Sequence, residues 1–269
     1  MVLSFAALAG AREPIRTETL VRRNPDQHLF VARVNLSDSQ VRVVVAPAAP
    51  DPDGPGPWET SLRPASAIAR DLKLDLAINT VFFSHQTPDN NPRKYAAGEP
   101  AAALNLVVID GKAVTPNVSG ALLAFDKNNR ASVYTITPNN LPQNVWQGAA
   151  GSKQIVAGGK NTNTTDNARH PRTAAGVTAD GTLVLLVADG RRPGWAMGLT
   201  MSELADEMIA LGCVDAINFD GGGSSTMVRR EEGDKYKVVN TPSDGSTFVL
   251  PLSIERPVPY VLGFRIQRD

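Results

Sequence analysis

Several features that would point to particular classes of protein are missing from the sequence. A single cysteine, Cys213, excludes an internal disulfide, and we expect it to be a buried structural thiol. No run of about 18 apolar residues is present that could span a bilayer. Basic and acidic side chains number 27 each, so the net charge attracts neither nucleic acid nor an anionic membrane. We therefore expect neither a nucleic-acid partner nor a membrane span.

Familiar catalytic motifs are also missing. The chain has three histidines, and none shows the His-x-x-x-His spacing typical of a zinc site. There is no Gly-x-Ser-x-Gly nucleophile elbow and no phosphate loop of the nucleotide triphosphatases. These absences argue against a zinc enzyme, a serine hydrolase of the elbow type and a nucleotide triphosphatase.

The composition is that of an ordinary soluble globular protein, with 42% apolar and 20% charged residues. Strand-like and helix-like patterns predict an α+β (mixed α/β) fold, with mixed β-sheets flanked by a few helices. We expect residues 12–269 to form a single compact domain. Five prolines and two glycines within residues 46–57 predict a surface loop inside this domain, since proline cannot fill a strand ladder.

Residues 1–11 are apolar or small and resemble part of a secretory signal, although the basic segment that normally precedes one is missing. They are either the remnant of a signal or the start of an ordinary domain. We favour the remnant and hence a secreted or periplasmic protein.

The most informative stretch is Asn-Phe-Asp-Gly-Gly-Gly-Ser-Ser-Thr-Met at 218–227. An apolar strand ends at Asp220, and three glycines follow. Three glycines lose much backbone entropy on ordering, so a fold keeps them where side chains cannot fit. The reason is either a sharp reversal or a ligand held against backbone N–H groups, and the glycines alone do not separate the two.

Two aspartates are predicted to lie at one edge of a sheet. An apolar strand at 183–188 ends before Asp189, a helix follows at 201–211, and a strand at 214–219 leads to Asp220. If the two strands are parallel neighbours, these lengths form a β-α-β unit whose carboxyl ends bind ligands. A similar plan at 66–79 also ends in Ala-Ile-Asn, which suggests comparable places for Asn79 and Asn218.

The polar residues around these strand ends are suited to an anion. Arg172 and Arg191 can each offer a planar fork to phosphate or carboxylate, and the N–H groups of the glycine turn could add donors. The alternative is an Arg–Asp network that only braces the edge. His170 is either a general acid or a plain loop residue, and we favour the loop. Asp189 and Asp220 could also bind Ca²⁺ or Mg²⁺ through oxygens.

Five blocks of the sequence, in order, resemble the phosphodiester glycosidase family. The most specific is the glycine block at 218–227; the others are Ala-Ile-Asn-Thr-Val-Phe-Phe at 77–83, Arg-His-Pro-Arg-Thr-Ala-Ala-Gly at 169–176, Val-Ala-Asp-Gly-Arg at 187–191 and Glu-Arg-Pro-Val at 255–258. The chain departs from the family pattern at Thr80 and Val81, where Gly usually follows Asn, and residues 228–250 are elongated.

This resemblance implies hydrolysis of the anomeric C–O bond of a sugar-1-phosphodiester, such as an N-acetylglucosamine-1-phosphodiester, in a glycan or glycoconjugate. It implies that Asp189 and Asp220 are catalytic, one of them as base or nucleophile. The implied substrate-binding residues are Asn79, Arg172, Arg191, Asn218, Gly221, Gly222, Gly223, Ser224 and Ser225. No cofactor is expected, with Ca²⁺ or Mg²⁺ left open. The alternatives are a non-catalytic envelope glycan-binding module and a metal-assisted phosphodiesterase that cleaves the P–O bond.

Overall fold

The computed structural model describes residues 13–86, 95–162, 166–246 and 251–268. The N-terminal segment 1–11, expected to be a signal remnant, lies outside these residues. Two α-helices are present in the described part of the chain, α1 (Ala65–Asp71) and α2 (Met201–Ala210), together with short 3₁₀ turns at Gly222–Ser224 and Glu232–Asp234.

The strands of the described residues are, in chain order, β1 (Ile15–Arg22), β2 (Gln27–Val34), β3 (Val41–Pro47), β4 (Thr60–Ser61), β5 (Leu76–Asn79), β6 (Phe83–His85), β7 (Pro100–Ala103), β8 (Val107–Ile109), β9 (Lys112–Ala113), β10 (Gly120–Phe125), β11 (Ala131–Ile136), β12 (Gln147–Gly151), β13 (Lys153–Ala157), β14 (Lys160–Asn161), β15 (Arg172–Thr178), β16 (Leu183–Ala188), β17 (Cys213–Asn218), β18 (Met227–Glu231), β19 (Lys235–Val238), β20 (Asp244–Ser246), β21 (Pro251–Ile254) and β22 (Tyr260–Ile266).

Three larger sheets carry the fold. The first has the strand order β1-β2-β16-β15-β17-β13-β14, the second β11-β10-β12-β8-β9 and the third β19-β18-β5-β22-β3. A central apolar core lies where these three sheets meet. The outer face of the first sheet is covered by α2, and that of the third sheet by α1. Strand β16 is buried on both faces, which explains its continuous apolar sequence.

The expected fold class is partly wrong. Strands make up 46% of the described residues and helices 10%, so the fold is predominantly β rather than a mixture of α and β. The expected mixed sheets are also wrong, because the strand pairs of the described residues are antiparallel. The sequence pattern overestimates the share of helix, because α2 has a strong periodicity while many strands are too short to show a clear alternation.

The predicted β-α-β unit is also corrected. Strands β16 and β17 run in the same direction, but they are not neighbours, since β15 lies between them and pairs antiparallel with both. The tight turn at Asp180 and Gly181 holds β15 beside β16, and β17 then occupies the free side of β15. The carboxyl ends of β16 and β17 still lie at one edge of the sheet, separated by the start of β15.

Local signals predicted other elements well. Helix α2 begins with the capping box of Thr200 and Glu203, in which each side chain bonds to the other residue's backbone N–H. Gly212 follows the helix with a left-handed φ of 94°. In the proline-rich segment, β3 continues to Pro47 because it is an edge strand, and residues 51–57 are exposed bends. None of the helices in the described residues is long and apolar enough to cross a membrane.

Candidate functional site

The candidate site lies at the edge of the seven-stranded sheet where β16 and β17 end and β15 begins. Asp189 follows β16 directly, and Asp220 comes two residues after the end of β17. Arg172 is the first residue of β15 and pairs in the sheet with Ala188. The antiparallel strand between them thus brings Asp189, Arg172 and the glycine turn to one edge.

A side chain would be unfavourable at each glycine of the turn, because of close neighbours or a positive φ. A Cβ on Gly221 would lie 2.7 Å from the Pro171 carbonyl oxygen. Gly222 has a φ of 62°, and its Cβ position is 3.1 Å from the Arg191 guanidinium. A Cβ on Gly223 would lie 1.9 Å from the Asp244 carboxylate and 2.5 Å from Arg256. The glycines therefore allow close packing of protein groups around the turn.

The backbone N–H groups of the turn are mostly used inside the protein. The Gly222 N–H donates to the Pro171 carbonyl at 2.8 Å, Ser224 to Gly221 at 3.2 Å and Ser225 to Gly222 at 3.3 Å. The Gly221 N–H is hydrogen-bonded to the Asp220 carboxyl, where it opposes a rise in the pKa that burial causes. Few N–H groups of the turn are therefore left to bind an anion, and the charged side chains become the better candidates for that role.

The side chain of Asn79, at the end of β5, holds the glycine turn in place through hydrogen bonds. Its side-chain N–H donates to the Asp220 carbonyl at 2.7 Å, and its oxygen accepts from the Thr173 hydroxyl at 2.9 Å and the Thr226 N–H at 3.1 Å. Asn79 is 1% exposed. The buried amide therefore finds its partners in the protein.

Asn218 occupies the comparable place at the end of β17. Its side-chain N–H donates to the Ser152 hydroxyl at 3.0 Å. Its side-chain oxygen is buried and has no hydrogen-bond partner among the described residues. The two asparagines predicted to correspond therefore differ, because Asn79 has partners on both side-chain atoms and Asn218 on only one.

Asp220 is partly buried in an environment that alters its acidity. Burial raises the pKa of its carboxyl from 3.8 to about 6. The Ser224 hydroxyl, the Arg256 charge, the Gly221 N–H and the Arg191 charge oppose this rise without overcoming it. A carboxyl with such a pKa can exchange a proton near neutral pH.

Asp189 lies deeper and is 1% exposed. Its Oδ1 accepts from the Thr241 N–H at 2.9 Å and from the Asn240 side chain at 3.2 Å. Its Oδ2 is buried without a hydrogen-bond partner among the described residues. Burial raises the pKa of Asp189, although the donors on Thr241, Asn240 and the nearby Trp195 oppose the rise. Asp189 also links the turn to the 240–241 segment, since Asn240 donates to the Ser225 carbonyl at 2.9 Å.

The two predicted arginines lie in different surroundings. Arg172 is 8% exposed, and its guanidinium donates to the carbonyls of Leu199 and Ala168 and to the Asp166 carboxylate at 3.0–3.2 Å. Arg191 is exposed, lies against Gly222 and has a φ of 60°. Arg172 thus braces the segment that leads into β15, whereas Arg191 faces the site.

Sequence reasoning missed a second arginine at the site. Arg256 makes two hydrogen bonds of 2.8 Å to the Asp244 carboxylate, and its guanidinium lies 3.9 Å from the centre of the Tyr95 ring. This group packs over Gly223, and its charge limits the rise in the pKa of Asp220. The Glu-Arg-Pro-Val block at 255–258 carried a signal for Arg256, but the sequence held none for its partners Asp244 and Tyr95.

The remaining predicted residues lie close to these groups. Ser224 and Ser225 are buried, at 0% and 1% exposure. The Ser225 hydroxyl has no hydrogen-bond partner within the described part of the chain. His170 exchanges backbone hydrogen bonds with Leu199 at 3.0 and 3.1 Å, and burial followed by the charges of Arg172 and Arg191 lowers its pKa. In the described residues, no group of three or more His, Cys, Asp or Glu side chains converges as a metal site.

A cleft of about 630 Å³ lies at the opposite edge of the same sheet, beside the Asp180 turn. Its lining mixes Glu13, Arg16, Arg33 and Asp180. A larger cleft, of about 710 Å³, lies beside Trp146. Two carboxyls with raised pKa values and two nearby guanidiniums are found instead at the aspartate edge. Because strongly perturbed acidity beside specific charges is typical of functional sites, we take the aspartate edge as the candidate site.

A protein-family comparison matches the part of the chain that contains the five sequence blocks. The family model for phosphodiester glycosidase matches residues 73–265. The SPbeta prophage-derived uncharacterized protein YomE of Bacillus subtilis (strain 168) is 40% identical over 79 residues, which are 29% of this chain and 11% of that protein. The match therefore spans only a small part of that relative's length.

Solved structures share the fold at low sequence identity. The zebrafish N-acetylglucosamine-1-phosphodiester alpha-N-acetylglucosaminidase catalytic domain, auto-inhibited by its pro-peptide, has a TM-score of 0.66 at 18% identity, over 94% of this chain and 82% of that one. A putative exported protein from Burkholderia pseudomallei K96243 has a TM-score of 0.61 at 18% identity, with coverages of 89% and 74%. A hypothetical protein from Synechocystis has a TM-score of 0.57 at 15% identity, with coverages of 95% and 62%.

The raised pKa of Asp220 predicts a pH-dependent gain of stability in Asp220→Asn. The carboxyl opposes folding above pH 6, where it must be charged in the folded protein, and this penalty disappears as the pH falls from 6 towards 3.8. At about 1.4 kcal/mol per pKa unit, we expect the variant to gain about 3 kcal/mol at pH 7.5 and well under 1 kcal/mol at pH 4. Denaturant unfolding at both pH values measures the difference.

The control is Asp180→Asn, at an exposed turn where hydrogen bonds lower the pKa of the carboxyl. Its charged form favours folding, so this variant should gain nothing at pH 7.5. An equal gain for Asp220→Asn at both pH values would contradict the assignment of a raised pKa to Asp220.

Proposed function

Because the chain belongs to the phosphodiester glycosidase family, we propose that it hydrolyses the bond between the anomeric carbon of a sugar and the oxygen of a phosphodiester. One observation carries the proposal: the Asp220 carboxyl, with its pKa raised to about 6, lies within the electrostatic influence of Arg256 and Arg191 at the glycine turn. The two guanidiniums can bind the phosphate, and the carboxyl can accept a proton from a water molecule.

The leaving group decides which tasks the protein must perform. A phosphate monoester has its second pKa at about 6, far below that of a sugar alcohol, so it can depart with little help from a general acid. The harder tasks are to hold the anion and to stabilise an oxocarbenium-like centre. Positive charge beside a single reactive carboxyl meets those requirements.

In the proposed reaction, Asp220 acts as the general base. It takes one proton from a water molecule while the water oxygen forms a bond to the anomeric carbon. The bond between that carbon and the bridging oxygen breaks, and both of its electrons stay with the phosphate. The products are the free sugar, which keeps the second water hydrogen as a hydroxyl, and a phosphate monoester.

Asp189 would act in this reaction as a positioning residue. Its side chain is 1% exposed, and Oδ1 holds Asn240 and Thr241 against the turn. Asn79 would fix the other side of the turn through the Asp220 carbonyl. Both residues would therefore act on the orientation of Asp220 rather than on the substrate.

The reaction is tested by incubating the protein with sugar-1-phosphodiesters in ¹⁸O-water, with and without EDTA. We expect ¹⁸O in the sugar and none in the phosphate, with turnover unchanged by EDTA. Label in the phosphate together with loss of turnover in EDTA would instead favour a metal-assisted phosphodiesterase. Saturable binding without any product would favour a glycan-binding module.

The two aspartates should respond differently to amide substitution. We expect Asp220→Asn to lower kcat/KM by about a thousandfold or more, since a general base contributes about 10²–10⁴ and the turn also loses a charge. Asp189→Asn keeps an oxygen that can accept from Thr241, so it should lower kcat/KM by about tenfold or less.

The pH profile separates a reacting group from a positioning one. For the unaltered protein, kcat/KM should rise with pH through an apparent pKa of about 6, because Asp220 must lose its proton to act as a base. Asp189→Asn should keep this rise, and the residual activity of Asp220→Asn should lack it. An equal loss in both variants, with the profile unchanged in Asp220→Asn, would contradict these roles.

The two predicted arginines form a matched pair for testing phosphate binding. Arg191→Gln removes an exposed guanidinium next to Gly222, so we expect KM and the inhibition constant of inorganic phosphate to rise about tenfold with little change in Tm. Arg172→Gln removes buried hydrogen bonds to Leu199, Ala168 and Asp166, so it should lower Tm instead. The reverse pattern would assign phosphate binding to Arg172.

A further inference from the structure

The segment at 191–198 forms a short turn beside Asp189. The Trp195 N–H donates to the Arg192 carbonyl at 3.0 Å, and Arg192 and Ala196 exchange backbone hydrogen bonds of 2.8 and 3.0 Å. The Met197 N–H donates to the Asp26 carbonyl at 2.8 Å. This turn begins at Arg191, so it links a guanidinium of the site to an aromatic ring four residues later.

Trp195 stands beside the site on a fixed support. Its ring stacks on His28, with 3.8 Å between the ring centres and 29° between the planes. The backbone carbonyl of the same His28 accepts from the Asp189 N–H at 3.0 Å. One residue therefore both holds the indole and contacts the backbone of a site aspartate.

The other face of the indole is available. Trp195 is 46% exposed, although its one stacking partner covers a face of the ring. Across the described ranges, no second ring and no cation is placed over it. Trp146 shows the contrast, because Lys127 lies 4.6 Å from its ring centre and Gly111 packs against the ring.

An exposed indole of this kind suits the apolar face of a sugar ring. Tryptophan supplies a large, rigid apolar surface with a polar N–H at one end, and an indole already supported on one face loses little freedom on binding. A pyranose presents C–H groups on one face and hydroxyls at its rim. The charged groups on the other side of the site suit the phosphate, so the apolar indole face remains for the sugar ring.

We propose that Trp195 is the sugar-stacking platform of the site, with the pyranose on the indole face and the phosphate towards Arg191 and Arg256. This inference rests on the proposed function for the phosphate end of the substrate. The stacking of a sugar ring on Trp195 does not depend on whether the bond is then cleaved.

The test measures sugar binding and turnover separately. Ligand-observed NMR titrations with the methyl glycosides of glucose, galactose, mannose and N-acetylglucosamine give the Kd of the unaltered protein and of Trp195→Ala. We expect at least one glycoside to bind and its Kd to weaken about tenfold or more in the variant. Inhibition constants for inorganic phosphate should not change, because the guanidiniums remain.

Matched variants separate stacking from general damage. Trp195→Phe keeps a ring and should recover part of the affinity, whereas Trp146→Phe, at a ring that Lys127 already contacts, should leave it unchanged. His28→Phe should retain sugar binding and His28→Ala should weaken it, because the first keeps a support under the indole. The Tm of Trp195→Ala, whose ring also stacks on His28, is measured alongside to separate a loss of stability from a loss of sugar stacking.

The outcomes distinguish this inference from the proposed function. Failure of every glycoside to bind, or an unchanged Kd and KM in Trp195→Ala, would overturn the platform even if hydrolysis occurs. Sugar binding that depends on Trp195 without hydrolysis of any phosphodiester would support the platform and overturn only the proposed reaction.

Discussion

A single buried amide, the side chain of Asn79, is the contact on which the arrangement of the site depends. It bonds to the Asp220 carbonyl, the Thr173 hydroxyl and the Thr226 N–H, and so it joins the third sheet, the first sheet and both ends of the glycine turn. A buried polar group that loses its partners costs about 1–3 kcal/mol, so these bonds strongly favour one position of the turn. The three glycines cannot hold the turn in place themselves, because they have no side chains.

The electrostatics of the site follow from this packing. Close approach at the glycines lets Arg191 and the Arg256–Asp244 pair lie directly against the turn. Asp220 is thus kept in a place where burial raises its pKa, while two guanidiniums prevent the rise from going further. Asp244 neutralises part of the Arg256 charge and fixes the orientation of its fork.

Much of the site could be predicted from sequence, since its residues follow recognisable strand ends. The apolar runs before Asp189 and Asp220 identified the shared edge, and the capping box identified α2. The sheet order could not be predicted, because a hairpin and a crossover of similar length permit either neighbour for β17. The strand-rich fold class was missed because short strands such as β4, β9 and β14 carry too few residues to show alternation.

Long-range partners were beyond prediction for a different physical reason. The contacts of Gly223 with Asp244 and Arg256 join positions 21 and 33 residues apart, and nothing in the local sequence encodes which groups will meet there. Likewise, the two arginines flanking the predicted edge have the same chemistry in the sequence. Only burial distinguishes Arg172, whose donors are used by the protein, from Arg191, which remains exposed.

The backbone of Arg191 has a consequence for how this protein can change during evolution. Its φ of 60° is unfavourable for a residue with a side chain, by about 1–2 kcal/mol relative to the right-handed form, and glycine would relieve that strain. Selection for thermal resistance alone would therefore favour sequences that lose the guanidinium. Retention of an arginine at this position against that strain would imply a benefit other than stability.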